Sequence, residues 1–288
     1  MNCKICQGST RVLGERTGQY APRPFVLRRC ETCQFAFVEE PWLDYAKIYD
    51  EAYYEGRGAD PMVDYHFELS EPERTIRRYE WAGIVDVVRH LVTLDTRTRW
   101  LDFGCGGGGL PRYAKAQVGC EAMGFEEGAI ALKARKHGIA ILERAELDAL
   151  EGSFDVVTAI EVMEHVVDPL ATLTQIRRLL RPGGVLFYTT GNARPFRERL
   201  TSWSYFTPEI HISLYEPSSM ERALRLTGFD TTYPGFIPGW EQIMAFKVLK
   251  NLGVRRASAA HHAIPWRALT PALNWRFGLY DFPVATAV

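Results

Sequence analysis

A short apolar segment that runs straight into glycine constrains this chain more than any other feature: Leu101-Asp102-Phe103-Gly104-Cys105-Gly106-Gly107-Gly108-Gly109. Arg99–Phe103 reads as a strand and Leu110–Gln117 as a helix. A strand that ends in glycines and opens a helix lets a ligand approach the backbone, which side chains at Gly104 and Gly106 would block. The plain alternative, a flexible loop, sits poorly between a strand and a helix. Further apolar segments at Glu121–Glu126, Ile139–Leu142, Phe154–Ile160 and Val185–Thr190 read as strands. Helical segments separate them at Glu127–His137, with Gly138 beyond the end, and from Asp168-Pro169 to Leu180. Such alternation predicts βαβ units, a mainly parallel sheet and an α/β fold with helices on both faces. Beyond it, Ser218-Ser219-Met220-Glu221 reads as a capping box opening a helix that ends at Gly228. Phe229–Tyr233 and Gln242–Val248 read as two closing strands.

The loop alone leaves two cofactors open. Gly104-x-Gly106-x-x-Gly109 satisfies the dinucleotide fingerprint. Glu126 lies 22 residues after Gly104, at the end of the second strand, where an acid holds ribose hydroxyls. NAD and S-adenosylmethionine both carry that ribose. Asp102 favours the second, because a carboxylate at the strand's mouth repels a pyrophosphate and attracts an ammonium or a sulfonium. Capping the loop backbone is the other role open to Asp102.

Three segments then carry a resemblance. Leu101–Gly106 resembles motif I of class I S-adenosylmethionine-dependent methyltransferases; Phe154-Asp155-Val156-Val157-Thr158-Ala159-Ile160-Glu161-Val162-Met163-Glu164-His165-Val166-Val167-Asp168-Pro169 resembles their fourth strand and the helix after it; Leu179-Leu180-Arg181-Pro182-Gly183-Gly184-Val185-Leu186 resembles the turn before strand five. The likeness is good over residues 96–190 and looser to about 248. The Glu-His-Val-x-Asp-Pro version is similar to the branch that holds ubiquinone-pathway O-methyltransferases and many small-molecule and sugar enzymes. The resemblance implies a Rossmann-like seven-stranded sheet with a reversed final hairpin. It implies Asp102, Gly104 and Gly106 near the aminoacyl part of the cofactor, Glu126 on the ribose, Glu146 near the adenine, and Glu161 close to the cofactor. Tyr53 and Tyr54 resemble tyrosines that close over it. Tyr54 is therefore carried as a cofactor residue, although both tyrosines also suit plain helix packing.

Methyl transfer to a hydroxyl or amine needs alignment, exclusion of water and removal of a proton, a task that suits histidine near neutral pH. His165 follows strand four. His211 lies in Trp203-Ser204-Tyr205-Phe206-Thr207-Pro208-Glu209-Ile210-His211, dense in aromatic and polar groups. His211, His165, Glu209 and Tyr205 are the candidate catalytic residues, with packing or capping the alternative for each histidine. Sugar methyltransferases carry an adjacent Glu-His pair in this segment; here Ile210 separates Glu209 from His211. The expected acceptor is a small hydroxylated molecule, a sugar first, with a quinone, lipid or other natural product as the alternative and an NAD-dependent oxidoreductase as the rival class.

Cys3-x-x-Cys6 and Cys30-x-x-Cys33 have the spacing of two zinc knuckles. Four thiolates close a tetrahedral Zn²⁺, so the expected ion is structural, and it explains how so short a segment folds. The expected organisation is a zinc ribbon over 1–40 and a helical lid or linker over 41–95. A methyltransferase core follows over 96–250, with an acceptor-site insertion near 192–217, and a basic aromatic extension over 251–288. The stretch from Lys247 to Tyr280, which runs into that extension, holds six Lys/Arg and no Asp or Glu. Packing on the core or on a second subunit is expected of it, with peripheral contact to an anionic membrane, a pyrophosphate or a glycan as alternatives; Pro265 and Pro271 are expected to interrupt any long helix there. The formal net charge of −1 argues against nucleic acid as a partner. Six cysteines in 288 residues and a polar start read as a reducing, cytoplasmic setting.

Overall fold

Strand Arg99–Phe103 sends Trp100 to one side of a sheet and Leu101 and Phe103 to the other, and all three are buried. That period of two, with both faces apolar, requires cover on both sides. The computed structural model describes residues 1–58 and 64–288, so residues 59–63 of the expected lid lie outside the described residues. At the N-terminus, β1 (Thr10–Thr17), β2 (Pro24–Cys30) and β3 (Ala36–Val38) form an antiparallel set. The large sheet then takes β4 (Arg99–Phe103), β5 (Glu121–Phe125), β6 (Ile141–Leu142), β7 (Phe154–Ile160) and β8 (Leu180–Thr189). After these come β9 (Ser213–Leu214), β10 (Phe229–Thr232) and β11 (Val284–Ala287).

The large sheet has seven strands in the order β10-β11-β8-β7-β4-β5-β6. Strand β11 runs opposite to the other six. The α/β fold and the seven-stranded sheet implied by the resemblance are therefore present. The helices are α1 (Glu51–Tyr54), α2 (Tyr65–Ser70), α3 (Arg77–Leu91), α4 (Gly109–Val118), α5 (Ile130–Lys136), α6 (Arg144–Asp148), α7 (Pro169–Leu179), α8 (Pro217–Leu226), α9 (Trp240–Asn251) and α10 (Trp266–Phe277). Leu173 and Ile176 of α7 and Met220 and Leu224 of α8 pack with Leu101, Val157 and Leu186. Ile84 and Val88 of α3 and Ile243 and Met244 of α9 pack with Trp100, Val156 and Phe187 on the opposite face.

Three local expectations are corrected. Gln242–Val248 is not a closing strand but part of α9, whose Ile243, Met244, Ala245, Phe246 and Leu249 are all buried. A short apolar run does not distinguish a buried strand from a helix covered on several sides, and α9 is flanked by α3 and α10. A side chain at Gly83 would lie 2.5 Å from the Gly239 carbonyl, so glycine there lets α9 settle onto α3. The closing strand is β11, drawn from the segment read as an extension. The capping box of α8 uses Glu216 and Ser219, not Ser218 and Glu221; Glu216 N donates to Ser219 Oγ at 3.0 Å. Pro271 lies within α10, whose cap residue is Pro265, so the second proline does not interrupt that helix. Trp266, Leu273, Phe277 and Tyr280 of this segment turn toward the core, while Trp275 is exposed.

Candidate active site

The glycine loop leaves β4 with Gly104 and Gly106 at φ 75° and 53°, in the left-handed region that favours glycine. A Cβ on Gly104 would lie 2.6 Å from Val162, and one on Gly106 would collide with the Tyr65 ring. Glu126, just past β5, accepts from Gly106 N at 3.0 Å and from Gly128 N at 2.6 Å. The acid thus fixes the loop's shape, and burial raises its pKa. Asp102 is buried and accepts from Thr158 Oγ1 at 2.7 Å, and Thr158 also accepts from Trp100 Nε1 at 3.1 Å. Burial pushes Asp102 up to about 7 against the pull of the Thr158 hydroxyl.

A cavity of about 650 Å³ extends from this loop across the ends of β7 and β8. On its far side Glu161, just past strand β7, sits at φ 53°, a backbone conformation costly for a residue with a Cβ. Its carboxylate accepts from Lys247 Nζ at 2.9 Å and from Thr189 Oγ1 at 2.9 Å. Burial raises Glu161, but Lys247 more than offsets it and holds the acid down at about 2. Glu164 goes the other way: burial and the charge of Glu161 push it up to about 8. Thr190 Oγ1 donates to Glu164 at 2.7 Å, and the Tyr205 hydroxyl donates to it as well, standing 3.3 Å from Glu161. One acid of the pair is thereby ionised and the other neutral near pH 7, as two neighbouring carboxylates require.

Both histidines open onto this pair. His165 Nδ1 donates to the Ile210 carbonyl at 2.9 Å, and His211 Nδ1 donates to the Tyr205 carbonyl. A backbone carbonyl is only an acceptor, so each Nδ1 carries a proton, which in the neutral form of the ring leaves Nε2 as the basic nitrogen. The rings sit 5.0 Å apart, and His211 stacks on Tyr205 at 4.2 Å. Across the cavity, Arg77 pairs with Glu80 at 3.0 Å.

The ribbon docks against the histidine segment. β3 pairs with β9 through Phe37–Ser213, two residues beyond His211. Arg16 donates to the Trp203 carbonyl at 3.0 Å and also to that of Phe206. Glu209 is fully buried, and its Oε1 accepts from Tyr20 N at 2.8 Å in the turn between β1 and β2. At the ribbon's end the four thiols Cys3, Cys6, Cys30 and Cys33 converge, with Sγ–Sγ distances of 3.6 Å for Cys3–Cys33 and 3.4 Å for Cys6–Cys30. Each knuckle turns through a left-handed residue, Gln7 in one and Gln34 in the other. Backbone N–H groups of Ile5, Thr32 and Cys33 point at sulfur at 3.4 Å. Four sulfurs with amide support fit a tetrahedral ion that has no open position.

Of the expected residues, Asp102, Gly104, Gly106, Glu161, His165, Tyr205 and His211 line the one cavity. Glu126 sits beside the loop, outside that lining. Two expectations are corrected. Glu209 is not among the lining residues, and its Oε1 is engaged by the ribbon turn. Glu146 is exposed and caps its own helix through Glu143 N at 2.6 Å, outside the lining residues. Tyr54 is buried near Gly128, and it is Tyr53 and Tyr65 that line the cavity. Glu164, Lys247, Arg77 and Glu80 carry no expectation above. The Glu161-x-x-Glu164 spacing was a signal for the first, whereas Lys247 was hidden by reading α9 as a strand.

A family model described as "Methyltransferase domain" matches residues 74–233. Among curated proteins, the ubiquinone biosynthesis O-methyltransferase of Cereibacter sphaeroides is 44% identical over 106 residues, 34% of this chain and 42% of that protein. The protein of the same name from Pseudomonas aeruginosa is 44% identical over 105 residues, covering 33% and 45%. The chain thus spans less than half the length of these relatives. Among solved structures, an S-adenosylmethionine-dependent methyltransferase of Thermotoga maritima, titled a possible histamine N-methyltransferase, aligns with TM-score 0.42 at 19% identity, over 59% of this chain and 80% of that one.

Proposed function

The chain belongs to the methyltransferase-domain family, whose model covers more than half of it, and from that membership we propose that it moves a methyl group from S-adenosylmethionine to a hydroxyl of a small acceptor held beside His165 and His211. The observation that carries the reading is one cavity with a glycine loop and buried Asp102 at one end and two tautomer-fixed histidines at the other. S-adenosylmethionine supplies an activated methyl on a positively charged sulfur. Asp102, Gly104 and Gly106 would hold its aminoacyl end and Glu126 its ribose. The fit rests on the cavity that opens beside the left-handed Gly104 and Gly106 and on the acid Asp102 at its cationic end. Nε2 of either histidine takes the acceptor's proton, and His211 is the first choice because Tyr205 both stacks on its ring and anchors Nδ1. Tyr205 and neutral Glu164 keep the proton inventory of this corner fixed.

The flat wall of Trp203, Tyr205 and His211 suits a planar ring, in keeping with the names of the curated relatives, which place them in ubiquinone biosynthesis. A quinone-type hydroxyl is therefore preferred to the sugar expected above, which the names of these relatives do not support. The oxidoreductase alternative retains only the glycine spacing and the ribose acid Glu126, which both cofactors share. Zn²⁺ in the four-thiol site is structural in this reading. No helix among the described residues is long and apolar enough to cross a membrane. Calorimetry with S-adenosylhomocysteine and NAD side by side tests the proposal: the first binds at micromolar concentration and the second does not. Uptake of NAD with refusal of the nucleoside overturns it.

A further inference from the structure

Among the cations that line the cavity, Arg77 pairs with Glu80 and Glu68, Lys247 with Glu161 and Glu80, and Lys250 acts electrostatically on Glu68 and Glu161. Arg276 differs. Among the described residues it makes no ion pair; its guanidinium lies over Phe196 at 4.9 Å and over Phe277 at 5.8 Å. Arg199, likewise without an ion pair among the described residues, reaches the same Phe196 ring at 5.6 Å. The nearby acids are turned elsewhere, Glu198 toward Arg29 and Glu216 toward Arg197. Both guanidinium groups are exposed and lie within 6 Å of one ring centroid, Arg276 on the cavity lining and Arg199 outside it, so the ground beside Phe196 is positive.

From Phe196 the wall continues by stacked steps: Phe196–Trp203 at 4.6 Å, Trp203–Tyr205 at 4.8 Å and Tyr205–His211 at 4.2 Å. The arginines stand at one end of this file and the histidines at the other. We propose that Arg276 and Arg199 form a docking site for an oxyanion, phosphoryl or carboxylate, on the acceptor. Three stacking steps place that anion on the order of 10–15 Å from the methylated atom. At the deep end Lys247 is already paired with Glu161 and Arg77 with Glu80, so an anionic acceptor enters with its charge trailing and its hydroxyl leading. The histidine end of this picture rests on the methyl-transfer reading; the arginine end does not.

The test titrates protein saturated with S-adenosylhomocysteine with inorganic pyrophosphate, inorganic phosphate and glutarate at low salt. At least one anion binds, and the tightest identifies the group. Arg276→Gln weakens it at least tenfold and Arg199→Gln at least threefold. Arg267→Gln, exposed on the same helix but outside the cavity lining, leaves it unchanged. Thermal melts of the variants matching the parent confirm folding. An Arg276→Gln protein that binds the anion as tightly as the parent, or a parent that binds none of the three, overturns the site. Nucleoside binding in the same samples separates the two ideas. Lost anion binding with the nucleoside retained removes only the oxyanion site, and a parent that refuses the nucleoside removes the methyl-transfer reading.

Discussion

The glycine-loop side of the cavity comes mainly from one stretch, residues 102–128, joined across two adjacent strands by Glu126 and the glycine loop, with Tyr65 against Gly106. The histidine side draws on Glu161–His165, Trp203–His211 and Lys247, and the ribbon grips it from outside through β3, Arg16 and Glu209. The first side is made of backbone turns and neighbouring strand ends. The second is a long-range assembly to which the ribbon and α9 both contribute. Damage to the ribbon should therefore reach chemistry before it reaches cofactor binding, and damage to the loop should do the reverse.

The largest separation is expected on losing the four-thiol site. Structural zinc in small ribbons contributes roughly 10–16 kcal/mol, so Cys30→Ser with Cys33→Ser should unfasten the β3–β9 pairing. Turnover falls at least a hundredfold while S-adenosylhomocysteine affinity moves less than threefold, read by single-turnover assay and calorimetry. Equal losses in both would erase the distinction between the two sides. Metal analysis of the parent should give one zinc per chain.

His211→Ala comes next, with turnover down about 10²–10⁴-fold, the usual contribution of a general base, and cofactor affinity unchanged. Full turnover in that variant would move the role to His165 or remove it.

On the opposite side, Gly106→Val combines a left-handed backbone with a collision at Tyr65. About 1–3 kcal/mol of strain should weaken nucleoside binding roughly 5- to 150-fold and leave the thiol site loaded with metal. Unaltered affinity would mean that the loop does not receive the ligand.

The smallest effect is on pH. Asp102, raised to about 7 by burial, is ionised above that pH and neutral below it. An ammonium or sulfonium favours the ionised form, so binding releases a proton. Affinity is level at higher pH and falls by up to tenfold per unit as the pH drops below about 7. Asp102→Asn flattens the profile; a parent already flat from pH 8 to 6 would show that this carboxylate does not face the ligand's charge.

Legibility followed the same division. Gly104, Gly106 and the two thiol pairs were readable because their requirements are local: a φ that favours glycine, or a ligand spacing within one turn. Glu209 looked catalytic from its neighbours in sequence, but its partner is a turn almost 190 residues away. Glu146 carried a role by analogy, while its actual bond is to its own helix cap.

From its residues alone the chain determined a strand-and-helix alternation, a glycine loop with an acid on either side, and two matched thiol pairs, because backbone conformation and side-chain period act over a few residues. Only the tertiary structure decided that residues 240–251 are a helix, that Val284–Ala287 closes the sheet, that Lys247 holds Glu161 ionised, and that the ribbon anchors the histidine segment. Those outcomes depend on which surfaces are covered and which charges are buried together, and burial belongs to the assembled chain.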